Sequence, residues 1–266
     1  MIVLELGPEL WLFDQYSHSL LCGTLAQHWG APPFAPVPHA VQRAAEIHDG
    51  GWREWDRSPR LDPKTGHPHP YSDMPSADYL DIWERGLDEA WAVGDVTGLL
   101  VSLHAMRFFG RKTLPEEQAF FAAQRAREAE ALRRLGGPSD DPDALAEPFA
   151  TWHAWMFFWD ALSLFLCERW SSPWSVRIPA ASEAGTEVRA ERAEDAEPHT
   201  RLTEVYVDPY PFVGEIALEV PARVIPAARY RTQAELDEAI RHAELRTVQW
   251  NLVPPLHPAR GRGPRT

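Results

Sequence analysis

Ala154-Trp155-Met156-Phe157-Phe158-Trp159-Asp160-Ala161-Leu162-Ser163-Leu164-Phe165-Leu166-Cys167 is the most apolar run of the chain, and one carboxylate, Asp160, stands at its middle. Its length falls short of the roughly 20 residues that a membrane-spanning helix needs. Apolar nearly all round, it reads as the centre of a buried helix extending from Asp143 to Trp170. A lone carboxylate in such a helix costs several kcal/mol or takes up a proton, so Asp160 calls for a cation, a donor or a metal.

Other helices precede it. Asp14 to Trp29 opens on a residue suited to an N-cap and repeats apolar residues at Leu21, Cys22, Leu25 and Trp29. Pro38 to Asp49, Ser76 to Val93, Asp95 to Phe109 and the more charged Leu114 to Leu135 also read as helices. Between them, Gly50 to Pro75 is a long Pro/Gly-rich connection holding Trp52, Trp55, His67, His69 and Tyr71. A loop of that length is a functional lid or packs its aromatics on the bundle, and the residues leave both readings open. After Trp170 the composition changes. Ser182 to His199 reads as a mobile loop or linker, Glu215 to Val220 as a strand, and Thr232 to Leu245 as a helix with capping-box spacing. Val248, Trp250 and Leu252 alternate as a strand does. The expectation is a mainly α protein with a small C-terminal α+β extension. Residues 1–172 would form the helical domain, 173–254 a strand-containing segment and 255–266 a disordered tail.

Composition narrows the function. The 266 residues are 44% hydrophobic, enough for a buried core, and carry a formal charge of −13, which argues against a surface built for nucleic acid. Lys64 and Lys112 are the lysines of the chain, and neither follows phosphate-loop glycines, so a P-loop ATPase is excluded. Cys22 and Cys167 supply no disulfide framework and read as small core residues. Met1 to Leu6 lacks the basic start of a signal peptide. A cytoplasmic protein without membrane or nucleic-acid partners is expected.

Asp160 is not alone. His18 lines up with Leu21, Cys22 and Leu25, His104 with Leu100, Val101 and Phe108, and His48-Asp49 follows Val41, Ala44 and Ala45. Four helices thus offer an imidazole or carboxylate to the core. Those are the usual ligands of borderline and hard divalent ions, and facing helices of a bundle build such sites. His48 and Asp49 point about 100° apart on one helix, so a shared ion would sit close to the backbone, with His18 and Asp160 closing the sphere. His153 lies about 10 Å along the helix from Asp160, in reach of a second ion or a substrate. His28 is turned away from His18 and reads as structural.

An isolated His, a His-Asp doublet and a distant Asp on a buried helix resemble the HD-domain superfamily of metal-dependent phosphohydrolases. Gln15-Tyr16-Ser17-His18, His48-Asp49-Gly50-Gly51-Trp52, Leu103-His104 and Asp160-Ala161-Leu162-Ser163-Leu164 look more closely like the family called domain of unknown function 3891. Asp208-Pro209-Tyr210-Pro211-Phe212 looks like the opening of that family's β-containing C-terminal segment. The resemblance implies an HD-like bundle in which His18, His48, Asp49 and Asp160 hold one or two divalent ions (Fe, Mn, Ni, Zn or Mg). His104 would be a further ligand or contact a substrate oxygen. It implies hydrolysis of a small phosphoester or nucleotide by a metal-activated water. Many members place a Lys after the doublet, where this chain has Gly50, Gly51, Trp52 and Arg53. Arg53 can bind phosphate but cannot donate a proton at neutral pH. Arg53, Arg107 and His104 are the candidate catalytic residues for a small anionic substrate. Two other functions stand beside hydrolysis: an HD-fold diiron oxygenase, and a non-catalytic metal-binding protein. The C-terminal strands could cover the pocket, cap the bundle or form a homodimer interface.

Overall fold

The computed structural model describes residues 1–109, 114–136, 147–168, 170–180, 184–193 and 202–255. The chain opens with two strands, β1 (Ile2–Leu6) and β2 (Glu9–Phe13), then helices α1 (Gln15–Gln27) and α2 (His39–Ile47). A 3-10 turn (Gly50–Trp52) leads into the short α3 (Arg53–Arg57), followed by α4 (Ser76–Val93), α5 (Asp95–Phe109), α6 (Pro115–Arg134) and α7 (Phe149–Cys167). Strands β3 (Trp174–Ile178), β4 (Thr186–Arg192), β5 (Thr203–Asp208) and β6 (Ile216–Pro226) come next, then α8 (Gln233–Arg241) and β7 (Glu244–Val253).

The strands form one curled, seven-stranded sheet in the order β1-β2-β6-β7-β5-β4-β3. The pairs are antiparallel except β5 with β7. With 48% helix and 23% strand, the protein is neither all-α nor a mainly α bundle with a small C-terminal extension. The sheet draws on both ends of the chain, because β2 pairs with β6 from Glu9–Pro226 to Phe13–Ala222.

The physical reason for the missed hairpin lies in its burial. Leu10 and Leu12 pack on one face, with Trp52, Trp55, Ile225 and Leu236, while Trp11 and Phe13 enter the main core on the other. A strand buried on both faces shows no alternation to read. The remaining clue is Gly7-Pro8 between two five-residue apolar runs, and Gly7 turns the hairpin at φ 58°. β4 is a second correction: Thr186–Arg192, read as loop, buries Val188 and Ala190 and is charged at most other positions. Positions 182–183 and 194–199 of that loop reading lie outside the described residues, as do the start of the expected long helix at 143–146 and all but Pro255 of the expected tail.

Elsewhere the periodicity leads to the observed elements. Ile216, Leu218, Val220, Ala222 and Val224 of β6 alternate inward, and Thr232 caps α8 by accepting from the Glu235 N–H at 3.2 Å. Asp14 stands at the N-cap of α1, but its carboxylate accepts from Arg223 of β6 at 2.6 Å instead of capping. Helices α1, α2, α5 and α7 pack on one another, with α1 also against β6 and α7 against β3. Phe158 and Phe165 of α7 stack on Trp174 of β3 at 20° and 24°. Among the described residues no helix is long and apolar enough to cross a membrane.

Candidate metal centre

Helix α2 ends at Ile47, His48 is its cap, and Asp49 leaves helical geometry at φ −104°, ψ 24°. That break turns toward one point two adjacent side chains that a continuing helix would hold about 100° apart. The 3-10 turn that follows lies tightly against α4. A Cβ on Gly51 would collide with the Ile82 carbonyl and meet the Gly86 nitrogen. Glycine there therefore places Asp49.

Five side chains meet at this point. Asp160 Oδ1 lies 2.9 Å from His18 Nε2 and 3.7 Å from His48 Nε2, and its Oδ2 lies 3.7 Å from His104 Nε2. Asp49 Oδ2 lies 3.5 Å from His48 Nε2 and 3.8 Å from His18 Nε2. All five residues are buried, His18 completely. The structure thus brings together the whole expected ligand set.

Partners behind the cluster orient it. His48 Nδ1 is 2.9 Å from the Ala45 carbonyl, an acceptor, so it carries the proton and Nε2 presents a lone pair. Ser163 donates to the Asp160 carbonyl at 2.9 Å, which leaves its oxygen to accept from His18 Nδ1. Gln15 Nε2 donates to Asp49 Oδ2 at 3.0 Å. His18 Nε2 and His48 Nε2 are buried and make no well-aligned hydrogen bond, although Asp160 Oδ1 lies 2.9 Å from the first and Asp49 Oδ2 3.5 Å from the second. Two lone pairs facing two carboxylates repel unless a cation joins them, and the residues fit a divalent ion on that ground.

Without an ion, protons take that role. Burial alone would lower His48, but the charge of Asp49 and the approach of Asp160 hold it up at about 9. Burial would raise Asp160, yet the close His18 and His48, and then His104, keep it well below the carboxylate range. Burial raises Asp49 against the pull of His48 and His18. For His104 burial prevails over Asp160 and lowers it to about 3.

One further ligand type was not foreseen. Donor atoms of His18, Cys22, His48 and Asp160 lie within 4.8 Å of one another, and this buried group could hold a metal ion. Cys22 stands four residues after His18, on the same helix face, which was the available signal. Its sulfur lies 3.3 Å from Ser163 Oγ, on the Nδ1 side of His18, whereas the other donors gather at Nε2. Burial raises its thiol well above the usual range.

The other candidates fall elsewhere. Arg53 pairs with Glu89 through two nitrogens and lies over the Tyr16 ring at 3.8 Å. Arg107 is exposed, its guanidinium 3.9 Å from the Phe157 ring centre. His153 leans on the Leu103 backbone, lowered to about 4 by burial and then by Arg107. His28 bonds the Thr24 carbonyl of its own helix. A second group, Asp62, His69 and Asp73, lies in the long loop, where Asp62 already accepts from Lys64 and Thr65 as a turn anchor.

A cavity of about 410 Å³ opens on Asp49, His104 and Asp160, lined also by Gln15, Ser72 and a set of aromatic residues. Trp52 and Tyr71 of the Gly50 to Pro75 segment belong to that lining, while Trp55 packs under the sheet. Neither Arg53 nor Arg107 lines it.

A family model described as protein of unknown function (DUF3891) matches residues 1–227. The chain belongs to the DUF3891 family. The DUF3891 match runs from β1 to the end of β6, and so includes every residue of the cluster and both halves of the β2–β6 pairing. No curated protein and no solved structure matches the chain.

Proposed function

We propose that this DUF3891 chain is a metal-dependent hydrolase of the HD type that acts on a small phosphoester. The observation that carries the reading is the cluster itself: three imidazole nitrogens and two carboxylates converge, buried, at the floor of a cavity. His18, His48, Asp49 and Asp160 would hold one divalent ion, with His104 beside it facing the cavity. When bound, such an ion lowers the pKa of a water and offsets negative charge on a phosphoryl oxygen. The chain's own contribution is orientation and exclusion of water. Ser163, Ala45 and Gln15 fix the cluster, and the aromatic lining keeps the reacting groups dry. Hydrolysis adds hydroxyl to phosphorus and hydrogen to the leaving oxygen, so no further reactant is needed. We assign no step to Arg53, which pairs with Glu89, or to Arg107, which lies over the Phe157 ring, since neither lines the cavity. The oxygenase reading requires donors for a second ion. His153, read as within reach of a second ion or a substrate, is not among the clustered donors of the described residues.

The test is turnover of 4-nitrophenyl phosphate by purified protein supplied with Mn, Fe, Ni, Zn or Mg. Asp49→Asn should lower kcat/KM by at least about 100-fold, beyond the 10–100-fold typical of a residue behind the ligands. Equal activity of wild type and Asp49→Asn would exclude this site as the origin of turnover.

A further inference from the structure

The walls of the cavity do more than exclude water. Trp52, Tyr79, Trp83 and Phe108 form an unbroken chain of rings that ends on His104. The centroids lie 6.2 Å apart for Trp52 and Tyr79, 6.1 Å for Tyr79 and Trp83, and 6.0 Å for Trp83 and Phe108. Phe108 then meets His104 edge-on at 5.4 Å. All four rings line the cavity, and Phe157 and Trp170 add to it. Its charged lining groups are Asp49 and Asp160, and among the described residues no lysine or arginine lines it.

We propose that this cavity selects substrates carrying a flat aromatic ring next to the reacting ester group, over compact aliphatic esters and multiply acidic ones. The proposal rests on the reading of the His18–Asp160 cluster as the reacting centre. Aromatic walls favour an aromatic guest through edge and offset-face contacts in addition to burial of its apolar area. The volume lies within the range of small-molecule pockets, about 300–1,000 Å³. An ion offsets the two carboxylates and leaves little to neutralise a second acidic group, which would be desolvated among rings without a cation. The ring chain ends at His104, so a ring lying along it places its substituent at the cluster.

The probes are phenylphosphonate, methylphosphonate and phosphonoacetate, which share a non-hydrolysable head and differ in what is attached. Binding is measured by calorimetry and tryptophan quenching on the full chain, with Mn restored and without it. Phenylphosphonate should bind at least about tenfold more tightly than methylphosphonate, and phosphonoacetate no more tightly than methylphosphonate. Phe157→Ala and Trp170→Ala, both at partly exposed positions, should each shrink the phenyl advantage severalfold, weakening phenylphosphonate more than methylphosphonate. Equal Kd values for the first two probes, failure of phenylphosphonate to bind, or tighter phosphonoacetate would overturn the proposal. The phenyl preference without turnover of any phosphoester would remove the hydrolase reading and leave the cavity's selectivity standing. Equal kcat/KM for phenyl and methyl phosphate would do the reverse.

Discussion

His18 and His48 each commit Nδ1 to an oxygen and turn Nε2 toward Asp49 and Asp160. Their usefulness as ligands therefore depends on residues that touch no ion. Gln15→Ala removes the donor that fixes Asp49, and Ser163→Ala removes the acceptor that fixes His18. Each should weaken metal affinity by about 10–100-fold, as read by competition with a chromogenic chelator, with far-UV circular dichroism unchanged. The protons of the cluster give a second expectation. In metal-free protein His48 is held at about 9, above its ordinary 6.5, so at pH 7 it is charged and ion uptake must expel its proton. Calorimetry in buffers of different ionisation heat should show release of about one proton per ion at pH 7, about half at pH 9 and almost none a pH unit or more above that. The same shift makes protonated His48 stabilise the metal-free fold below pH 6.5, a contribution lost as pH rises to about 9. The metal-loaded protein should lack that loss. His18, His48, Asp49, His104 and Asp160 could be picked out in the sequence because an ionisable group on an apolar helix face is an anomaly. Gln15 and Ser163 could not, since neutral polar groups in a helix are common and only their neighbours in space give them a role, while the one sign of Cys22 was its place four residues after His18.

The element that positions the doublet is the 3-10 turn after α2, wedged against α4. Gly51→Ala forces a Cβ into the Ile82 carbonyl and should cost about 3 kcal/mol or more in chemical denaturation. It should also displace Asp49 and reduce metal affinity. Gly86 faces the same contact from the helix side with more room, its added Cβ at 3.1 Å from the Gly51 nitrogen. Gly86→Ala also gains helix propensity, so its net effect should stay within about 1 kcal/mol of zero. A reversed order of the two variants would mean that the turn, not the close approach, sets Asp49. The amphipathic and apolar-run helices were readable because their length and period are distinctive, as α5 over Asp95–Phe109 shows. The start of the 50–75 connection was not. Arg53–Arg57 is a single helical turn, held by Arg53 to Glu89 and by Asp56 to the Met1 ammonium at 3.2 Å, and contacts 36 or more residues distant leave no local pattern.

At the scale of the molecule the sheet ties the two ends together. β2 pairs with β6, Arg223 of β6 bonds both Asp14 and the Asp56 carbonyl, and α8 covers Leu10 and Leu12 through Leu236. A chain cut after residue 172 loses these partners and uncovers Leu10, Trp11, Leu12 and Phe13. At about 1.5–3 kcal/mol for a large side chain fully exposed, losing the β6 and α8 side of the packing of all four removes much of the stability of an ordinary domain, about 5–15 kcal/mol. Residues 1–172 alone should therefore show no cooperative melt and bind hydrophobic dye; a sharp thermal transition would show the helical part to be self-sufficient. The composition at the C-terminal end announced strands, but nothing local in β2 tells that its second partner, β6, is more than 200 residues away. What this fold assembles is a buried centre in which imidazole nitrogens face carboxylates, and elemental analysis of the purified 266-residue chain addresses it directly. After exposure to excess Mn or Fe and removal of free ion, about one divalent ion should remain per chain, with His48→Ala and Asp49→Ala retaining none at unchanged helix content. A fully folded wild type that retains no divalent ion under those conditions would contradict the metal centre and the hydrolase built on it.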